Sequence, residues 1–302
     1  MKIDYLQAAM SILPWVFNLV RAEAFDWLEE DPKSVPPETS LKLERFYFRL
    51  TNGLPMWIQS WLGQLYSALY AKHRSEYFAF DDVKKLVKSE GSAKVALSSL
   101  RKAGFLYVHG RLGRRRLYRI CDPDVMVLIS AEKLLNIENI KQAVYSRLLG
   151  ILTCELFRRI PGLRSIVLYG SAARGSARSD SDIDLLVVFE SKASFGERIE
   201  LLAEVEFTER VEEELSWLYM HGIDTHISFL PMSPVEVKAS PPILLDIVED
   251  GIALVDDGFF RDAADRFKAK LERLGARRIF ISDQDWYWDL KPTIKFGEVV
   301  AI

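Results

Sequence analysis

Four residues within a fifteen-residue stretch could do chemistry together: Gly170, Ser171, Asp182 and Asp184. An apolar run, Ile166-Val167-Leu168-Tyr169, leads straight into Gly170-Ser171, ten residues separate Ser171 from Asp182, and Asp182-Ile183-Asp184 opens a second apolar run, Leu185 to Phe189. The pattern reads as strand, Gly-Ser turn, short small-residue helix, loop, and a strand beginning Asp-x-Asp. Side chains alternate along a strand, so Asp182 and Asp184 share a face and Ile183 points into the core. Two carboxylates at a strand start can share divalent cations, and hard oxygen ligands suit Mg²⁺, which takes one or two carboxylates plus substrate phosphates. Gly170 would let the backbone approach a phosphate, and Ser171 would sit near a helix N-terminus, where free N–H groups favour anions.

This arrangement resembles the nucleotidyltransferase superfamily of the DNA polymerase beta type. The context Leu-Tyr-Gly-Ser-Ala-Ala-Arg-Gly with Ser-Asp-Ile-Asp-Leu-Leu-Val is most similar to its minimal nucleotidyltransferase subgroup. The resemblance covers roughly residues 160 to 256. It implies an NTP substrate, two Mg²⁺ ions and a third carboxylate on a neighbouring strand. Asp182 and Asp184 would hold metal, and Gly170 with Ser171 the β- and γ-phosphates. Arg174, on the short helix, could reach the triphosphate or lie on the surface. Asp180 reads as a solvated loop residue.

The elements that must position these residues are legible around them. Residues 198 to 221 read as one charged amphipathic helix. After it, Gly222 to Leu230 alternates, with Ile223, Thr225, Ile227 and Phe229 on one face and Asp224, His226 and Ser228 on the other. The resemblance places its third acidic residue at Asp224, as a catalytic and metal-binding group or the base for the incoming hydroxyl. His226 would share that face, as a phosphate contact or a partly exposed strand residue. Pro241-Pro242 leads a helix through Val248, and Gly251 to Val255 forms a closing strand.

A second signal lies upstream. From Gly91 to Ile120 the basic residues Lys94, Arg101, Lys102, Arg111, Arg114, Arg115, Arg116 and Arg119 occur with no Asp or Glu, in a chain of net charge −3. A helix from about Met56 to Lys72, a helix Phe80–Glu90, a helix Ala93–Ala103 capped by Ser92 and stopped by Gly104, and a hairpin of 105–109 and 115–120 around Gly110–Gly113 follow from caps and turns. Three helices and a basic hairpin resemble a winged helix-turn-helix domain. In that reading Ser92, Lys94, Ser98, Arg101 and Lys102 line the recognition helix. Arg111, Arg114, Arg115 and Arg116 line the wing and contact DNA or RNA phosphates. The alternative is a protein-docking or dimer module with solvated arginines.

The fold expected is α+β and multidomain: an N-terminal helical segment (1–53), a winged helix (54–122), connecting helices (123–160), a mixed-sheet nucleotidyltransferase domain (161–256) and a C-terminal helix and tail (257–302). Residues 2–29 read as an apolar-rich core or oligomer helix interrupted at Pro14. Charges break it below the length that spans a bilayer, and it lacks the features of a signal peptide, so no membrane partner is expected. The tail's Trp286-Tyr287-Trp288 cluster could stack a base or pack onto the domain. Cys121 and Cys154 form no metal pattern and suggest a reducing cytoplasm.

Function follows as an expectation: Mg-dependent transfer of an NMP from an NTP to a hydroxyl of a nucleic acid, protein or small molecule, with release of pyrophosphate. The alternative is a DNA-binding regulator or antitoxin-like protein whose nucleotidyltransferase domain senses nucleotide or binds a partner. An assembly protein built on the N-terminal helix is a third class.

Overall fold

The structure is a computed structural model that describes residues 59–282 and 285–293. Its contacts divide the chain into residues 1–61 and 62–302. The expected helix over 2–29 and the rest of the N-terminal segment lie outside the described residues.

Helix α1 (Ser60–His73) comes first, followed by β1 (Phe78–Ala79), α2 (Phe80–Lys84) and α3 (Glu90–Lys102). Then come β2 (Leu106–Leu112) and β3 (Arg115–Ile120). The three strands form an antiparallel sheet in the order β1-β3-β2. Two expectations shift here. Helix α2 stops at Lys84 rather than Glu90, and α3 starts three residues earlier than expected. The Ser89 hydroxyl, not that of Ser92, caps α3 by accepting the Ser92 N–H at 3.1 Å. Ser89 wins because it leaves Glu90 in the first turn, where an acid complements the helix dipole. The hairpin turn is also tighter than expected. Leu112 pairs with Arg115, so β2 continues through Gly110, and Gly113 (φ 61°) takes the left-handed turn position.

Helix α4 (Pro123–Ser130), two single 3₁₀ turns and α5 (Ser146–Arg159) lead into β4 (Leu163–Tyr169) and α6 (Gly170–Arg174). Strand β5 (Ile183–Phe189) follows, then α7 (Phe195–Glu206) and α8 (Glu209–Met220). The single helix expected over 198–221 is two. The Thr208 hydroxyl donates to the Val205 carbonyl (2.8 Å), offering that backbone group a partner outside the helical ladder, and the chain turns there.

The remaining elements are β6 (Ile227–Met232), α9 (Pro234–Lys238), α10 (Leu244–Asp250), β7 (Ile252–Asp256), α11 (Phe259–Leu274), β8 (Arg277–Phe280) and β9 (Trp286–Asp289). The central sheet runs β6-β5-β4-β7, with β5 and β6 parallel and the other pairs antiparallel. The parallel pair requires a crossover, which α7 and α8 supply. On one side, Val167, Leu186 and Val188 pack against Val237, Leu244, Ile247, Phe259 and Phe267 of α9, α10 and α11. Helices α5, α7 and α8 pack on one another, with α7 against β6 and α5 against β4. No helix among the described residues is long and apolar enough to cross a membrane. Cys121 and Cys154 are free and buried.

Two ion-pair arrangements tie elements together. Arg198 of α7 makes a two-pronged bond to Glu236 of α9, at 2.6 and 2.7 Å. The Arg198 guanidinium, foremost, with help from the Ser233 backbone and hydroxyl, holds the Glu236 carboxyl down to about 2. A carboxyl depressed in the fold adds stability above its unfolded pKa, and that stability is lost as pH falls through the folded value. Replacing Arg198 by Ala should therefore lower the melting temperature near neutral pH by a few degrees. Glu236 is half exposed, so the pair is worth only about 1 kcal/mol after solvent screening. The deficit should vanish as pH drops from about 4.5 towards 2. Thermal unfolding across that window checks it, and a deficit independent of pH would refute it.

The second arrangement is buried. Glu214 of α8, fully inaccessible, binds Arg119 of β3 (2.5 and 2.9 Å) and Arg147 of α5. The Arg119 guanidinium also lies 3.4 Å over the Trp217 ring. Arg119, one of the cations of the basic segment, is therefore a buried strut between the hairpin sheet and α8.

Candidate active site

The two motifs meet at one end of the central sheet. Tyr169, the last residue of β4, pairs with Asp184 of β5, and the next residue, Gly170, turns the chain at φ 70° into α6. A Cβ on Gly170 would stand 2.1 Å from the Asp184 Oδ2. Glycine is required here twice: for the left-handed backbone, and because the Asp184 carboxylate occupies the space of a side chain. The motif by itself accounts for the glycine through phosphate approach alone.

Helix α6 has only five residues, so its dipole is small. Ser171 is half-buried on it. Gly175 (φ 79°) ends the helix, and the Ser176 N–H returns to the Ser171 carbonyl at 2.9 Å. The loop beyond is pinned from outside. Gln142 donates to the Ala177 carbonyl (2.8 Å) and accepts the Ala177 N–H (3.1 Å), and the Tyr145 hydroxyl donates to the Arg178 carbonyl (3.3 Å). Asp180 is exposed and paired with Arg178 at 3.3 Å.

Asp184 is half-buried. Burial pushes its carboxyl above the usual range. The Ser228 hydroxyl bonded to it opposes that, Asp182 reinforces it, and Arg174 opposes it weakly. Asp182 is exposed and stands just before β5, with Ile183 between the two aspartates fully buried. Ser228 sits opposite Asp184 in the parallel β5–β6 register, and Ile227 opposite Ile183.

That register shortens the strand expected to carry Asp224. The alternating stretch 222–230 is not one strand: β6 begins at Ile227. Asp224 lies in the exposed approach, its N–H bonded to the Ser179 carbonyl (2.7 Å), four residues before the position beside Asp184. The buried Thr225 hydroxyl anchors this approach by donating to the Ser181 carbonyl (2.7 Å), which uses up the alternation without strand pairing. Among the described residues no three His, Cys, Asp or Glu side chains form a group able to cage a metal. His226 is exposed, and its carbonyl accepts the Ile183 N–H at 2.8 Å.

Two groups near the aspartates carry no motif. Ser228 shares a face with Asp224 and His226 in the alternation, so its signal is present in the sequence. Glu206, at the end of α7, has none. Burial raises its carboxyl, while His226 and the Ile227 N–H lower it and Asp182 raises it slightly, which places it on the β6 side of the same end.

Arg174 is committed elsewhere. It faces Asp250 at 3.8 Å and lies 4.7 Å over the Trp286 ring. The β8–β9 hairpin packs here: Trp286 and Trp288 both donate to the Asp246 Oδ1 at 3.0 Å, and Arg278 reaches Asp250 at 3.0 Å. These rings are held by the domain, as the packing alternative for the tail expected.

The donor set suits a divalent cation. Asp184 carries a charge that its burial penalises, and its bonded partner is a neutral hydroxyl. A hard cation shared with Asp182 would supply the missing compensation.

The upstream basic residues divide. Arg111, Arg114, Arg115 and Arg116 are all exposed along the hairpin, as are Lys94, Arg101 and Lys102 on α3. Lys94 is paired with Glu90 at 2.8 Å, and Arg115 lies 4.0 Å from Asp81.

Residues 153–229 match the family described as Polymerase beta, Nucleotidyltransferase. A protein of Methanocaldococcus jannaschii, provisionally named a protein adenylyltransferase, is 28% identical over 134 residues, 44% of this chain and 84% of its own length. Among solved structures, a toxin-antitoxin complex with AMP-PNP aligns with 42% of this chain and 91% of its own at 19% identity and a TM-score of 0.28. A complex of a tri-AMPylated Shewanella oneidensis HEPN toxin with an MNT antitoxin aligns with 45% and 93% at 18% identity and 0.24. The matched stretch 153–229 holds the Gly-Ser turn, both aspartates of the Asp-x-Asp motif and the start of the parallel strand β6, so the similarity to the polymerase beta nucleotidyltransferases falls on the candidate site itself.

Proposed function

We propose that this chain transfers a nucleoside monophosphate from an NTP to a hydroxyl group, with a protein side chain as the acceptor. The observation that carries the reading is the half-buried Asp184 carboxylate, pushed up chiefly by its burial and set against Gly170 at the Gly-Ser turn. The acceptor oxygen would attack the α-phosphorus, the bond to the β-phosphate would break, and pyrophosphate would leave. Asp182 and Asp184 would hold Mg²⁺, which supplies charge neutralisation at the phosphates. Gly170 and Ser171 would bind the β- and γ-phosphates through their backbone, Gly170 because its turn leaves no side chain in the way. Ser228 would fix the orientation of the Asp184 carboxylate. Arg174 would serve as a phosphate ligand only after leaving Asp250 and Trp286, so its part in nucleotide binding is secondary. Asp224 remains the candidate for the base on the acceptor hydroxyl, from a more distant position than a register partner of Asp184. The name of the archaeal relative supports a protein acceptor and ATP as donor.

Incubation of the purified protein with each α-labelled NTP, Mg²⁺, and separated protein, RNA and DNA fractions tests this. Label in the protein fraction, strongest with ATP, is expected. No label in any fraction would overturn the transferase reading, and label confined to nucleic acid would overturn the choice of acceptor.

A second reading concerns the winged helix expected over 54–122, of which the structure describes residues 59–122. Helix, short strand, two helices and a hairpin in that order, with β1 closing onto β3, support a winged helix-turn-helix, and the four exposed hairpin arginines support binding to nucleic-acid phosphates. Changing Arg111, Arg114, Arg115 and Arg116 to Ala should then flatten the log–log salt dependence of binding by about two to four units, at about 0.7–0.9 per phosphate neutralised. Fluorescence anisotropy with duplex DNA and structured RNA across salt decides it. An unchanged slope, or no binding at low salt, assigns the module to protein docking.

A further inference from the structure

The far end of the central sheet carries a second concentration of charge. Arg164, the second residue of β4, lies five residues before Tyr169, which puts it roughly 17 Å along the strand from the Asp184 end. There, a cleft of about 850 Å³ is lined by Arg164, Lys238, Arg261, Arg266, Lys270 and Arg273, with only Asp257 and Asp262 as acids. In a chain of net charge −3 this is a local excess of cations.

Four features separate it from an ordinary solvated helix face. The cations converge from three separate elements: the start of β4, the end of α9 and the length of α11. Arg164 (4.7 Å) and Lys238 (5.8 Å) both stand against the ring of Phe259, which holds two cations near one another at the cleft. Ser240, which also lines the cleft, has φ 56°, a conformation that residues other than glycine rarely adopt. The acids present are already engaged. Arg164 takes Asp257 (2.8 Å) and Glu190 (3.6 Å), and Arg261 takes Asp262 (3.8 Å). Asp256 and Asp257 accept the first N–H groups of α11, so the helix end is filled. Among the described residues Lys238, Arg266 and Lys270 have no carboxylate within ion-pair distance, and Arg273 bonds only the Ala269 carbonyl, at 3.2 Å.

We infer that this cleft is a second anion site, for a small ligand carrying two or more linked phosphates. Arg266, Lys270 and Arg273 recur at helical spacing, about 6 and 4.5 Å apart in rise along one face of α11, so they can engage successive phosphates of one chain. Arginine forks match phosphate oxygens in pairs, and lysine adds a point charge. The volume falls within the range of small-ligand pockets, roughly 300–1,000 Å³.

Calorimetric titration of the full chain with sodium tripolyphosphate in EDTA tests the site. Without divalent cations the Asp182–Asp184 end repels the anion, so the cleft dominates. The variant Lys238→Glu/Arg266→Glu/Lys270→Glu should bind at least tenfold more weakly. The control variant Lys88→Ala/Lys192→Ala, at two exposed lysines outside the cleft, should bind as wild type does. Should the triple variant lose its cooperative melt, Arg266→Ala alone should still weaken binding about threefold. Competition with ATP and with inorganic pyrophosphate distinguishes a nucleotide from a free polyphosphate as the source, and displacement by either supports the site, whereas displacement by an oligothymidylate alone would overturn the small-ligand assignment. Wild-type affinity in the cleft variants would overturn the proposal. So would equal binding of an oligoglutamate of matched charge, which would make the cleft a docking site for acidic protein.

Discussion

Asp182→Asn together with Asp184→Asn is expected to abolish nucleotidyl transfer, with at least a thousandfold loss in turnover, while the protein still melts cooperatively. The reasoning is electrostatic. Asp184 sits half-buried with only a serine hydroxyl bonded to it, so its charge opposes the fold unless something cationic arrives. Replacing it by the isosteric amide keeps the Ser228 contact and the shape against Gly170 but removes the ligand charge. Metal and triphosphate binding should fall together. Because the carboxyl is raised in the fold, stability present below its unfolded pKa is lost as pH rises through the folded value. The metal-free double variant should thus melt at the same temperature as wild type or a few degrees higher near neutral pH, as expected when an active-site charge is removed. Transfer assays with labelled NTP and thermal melts in EDTA read both halves. Wild-type transfer in the double variant would reject the catalytic assignment. A large drop in melting temperature would show that the carboxylates are structural. Asp224→Ala belongs in the same assay. Its exposed place ahead of β6 predicts a smaller loss than either aspartate of the Asp-x-Asp pair, and an equal loss would restore it to the centre of the site.

The second large effect is on stability. Glu214→Ala should destabilise the protein by about 3–5 kcal/mol, because it strands two guanidiniums away from water. Arg119 is 2% exposed, and its Nε donates to the Ser75 carbonyl (2.8 Å), so it cannot swing out to solvent. At about 2–4 °C per kcal/mol for a folded unit of 150–250 residues, the melting temperature should drop by roughly 6–20 °C. Replacing the ions by apolar groups of similar size, Arg119→Met/Arg147→Met/Glu214→Leu, should recover much of that loss, since the cost comes from the unpaired charges. Differential scanning calorimetry of the single and triple variants measures it. A shift below about 2 °C in Glu214→Ala would mean that the cluster hydrates freely. Hydrogen exchange should also rise in β3, the strand that Glu214 ties to α8.

The amino-acid sequence by itself determines the parts of the site that rest on local signals. The Gly-Ser turn, the Asp-x-Asp strand, a helix after Pro241-Pro242 and a closing strand at about 251–255 follow from apolar runs, glycines at left-handed turns and aspartates opening a strand. So do the hairpin at 106–120 and its exposed arginines. Local chemistry settles such features because each depends on residues within a turn or two.

What only the tertiary structure decided depends on pairing across distance. The parallel register of β5 and β6 is set by how α7 and α8 pack, so the chain could not reveal that Ser228, rather than Asp224, stands beside Asp184. An alternating pattern is satisfied equally by a strand and by an extended approach pinned through Thr225. Arg119 reads as one more cation of a basic segment until Glu214, 95 residues away, is folded against it. Arg174 reads as free until the hairpin from the other side of the domain brings Trp286 over it. The basic cleft has no sequence signature at all, because Arg164, Lys238 and the α11 cations are ordinary surface residues that the sheet end alone draws together. Charge and periodicity are properties of the chain, whereas the partner of a charge is a property of the fold.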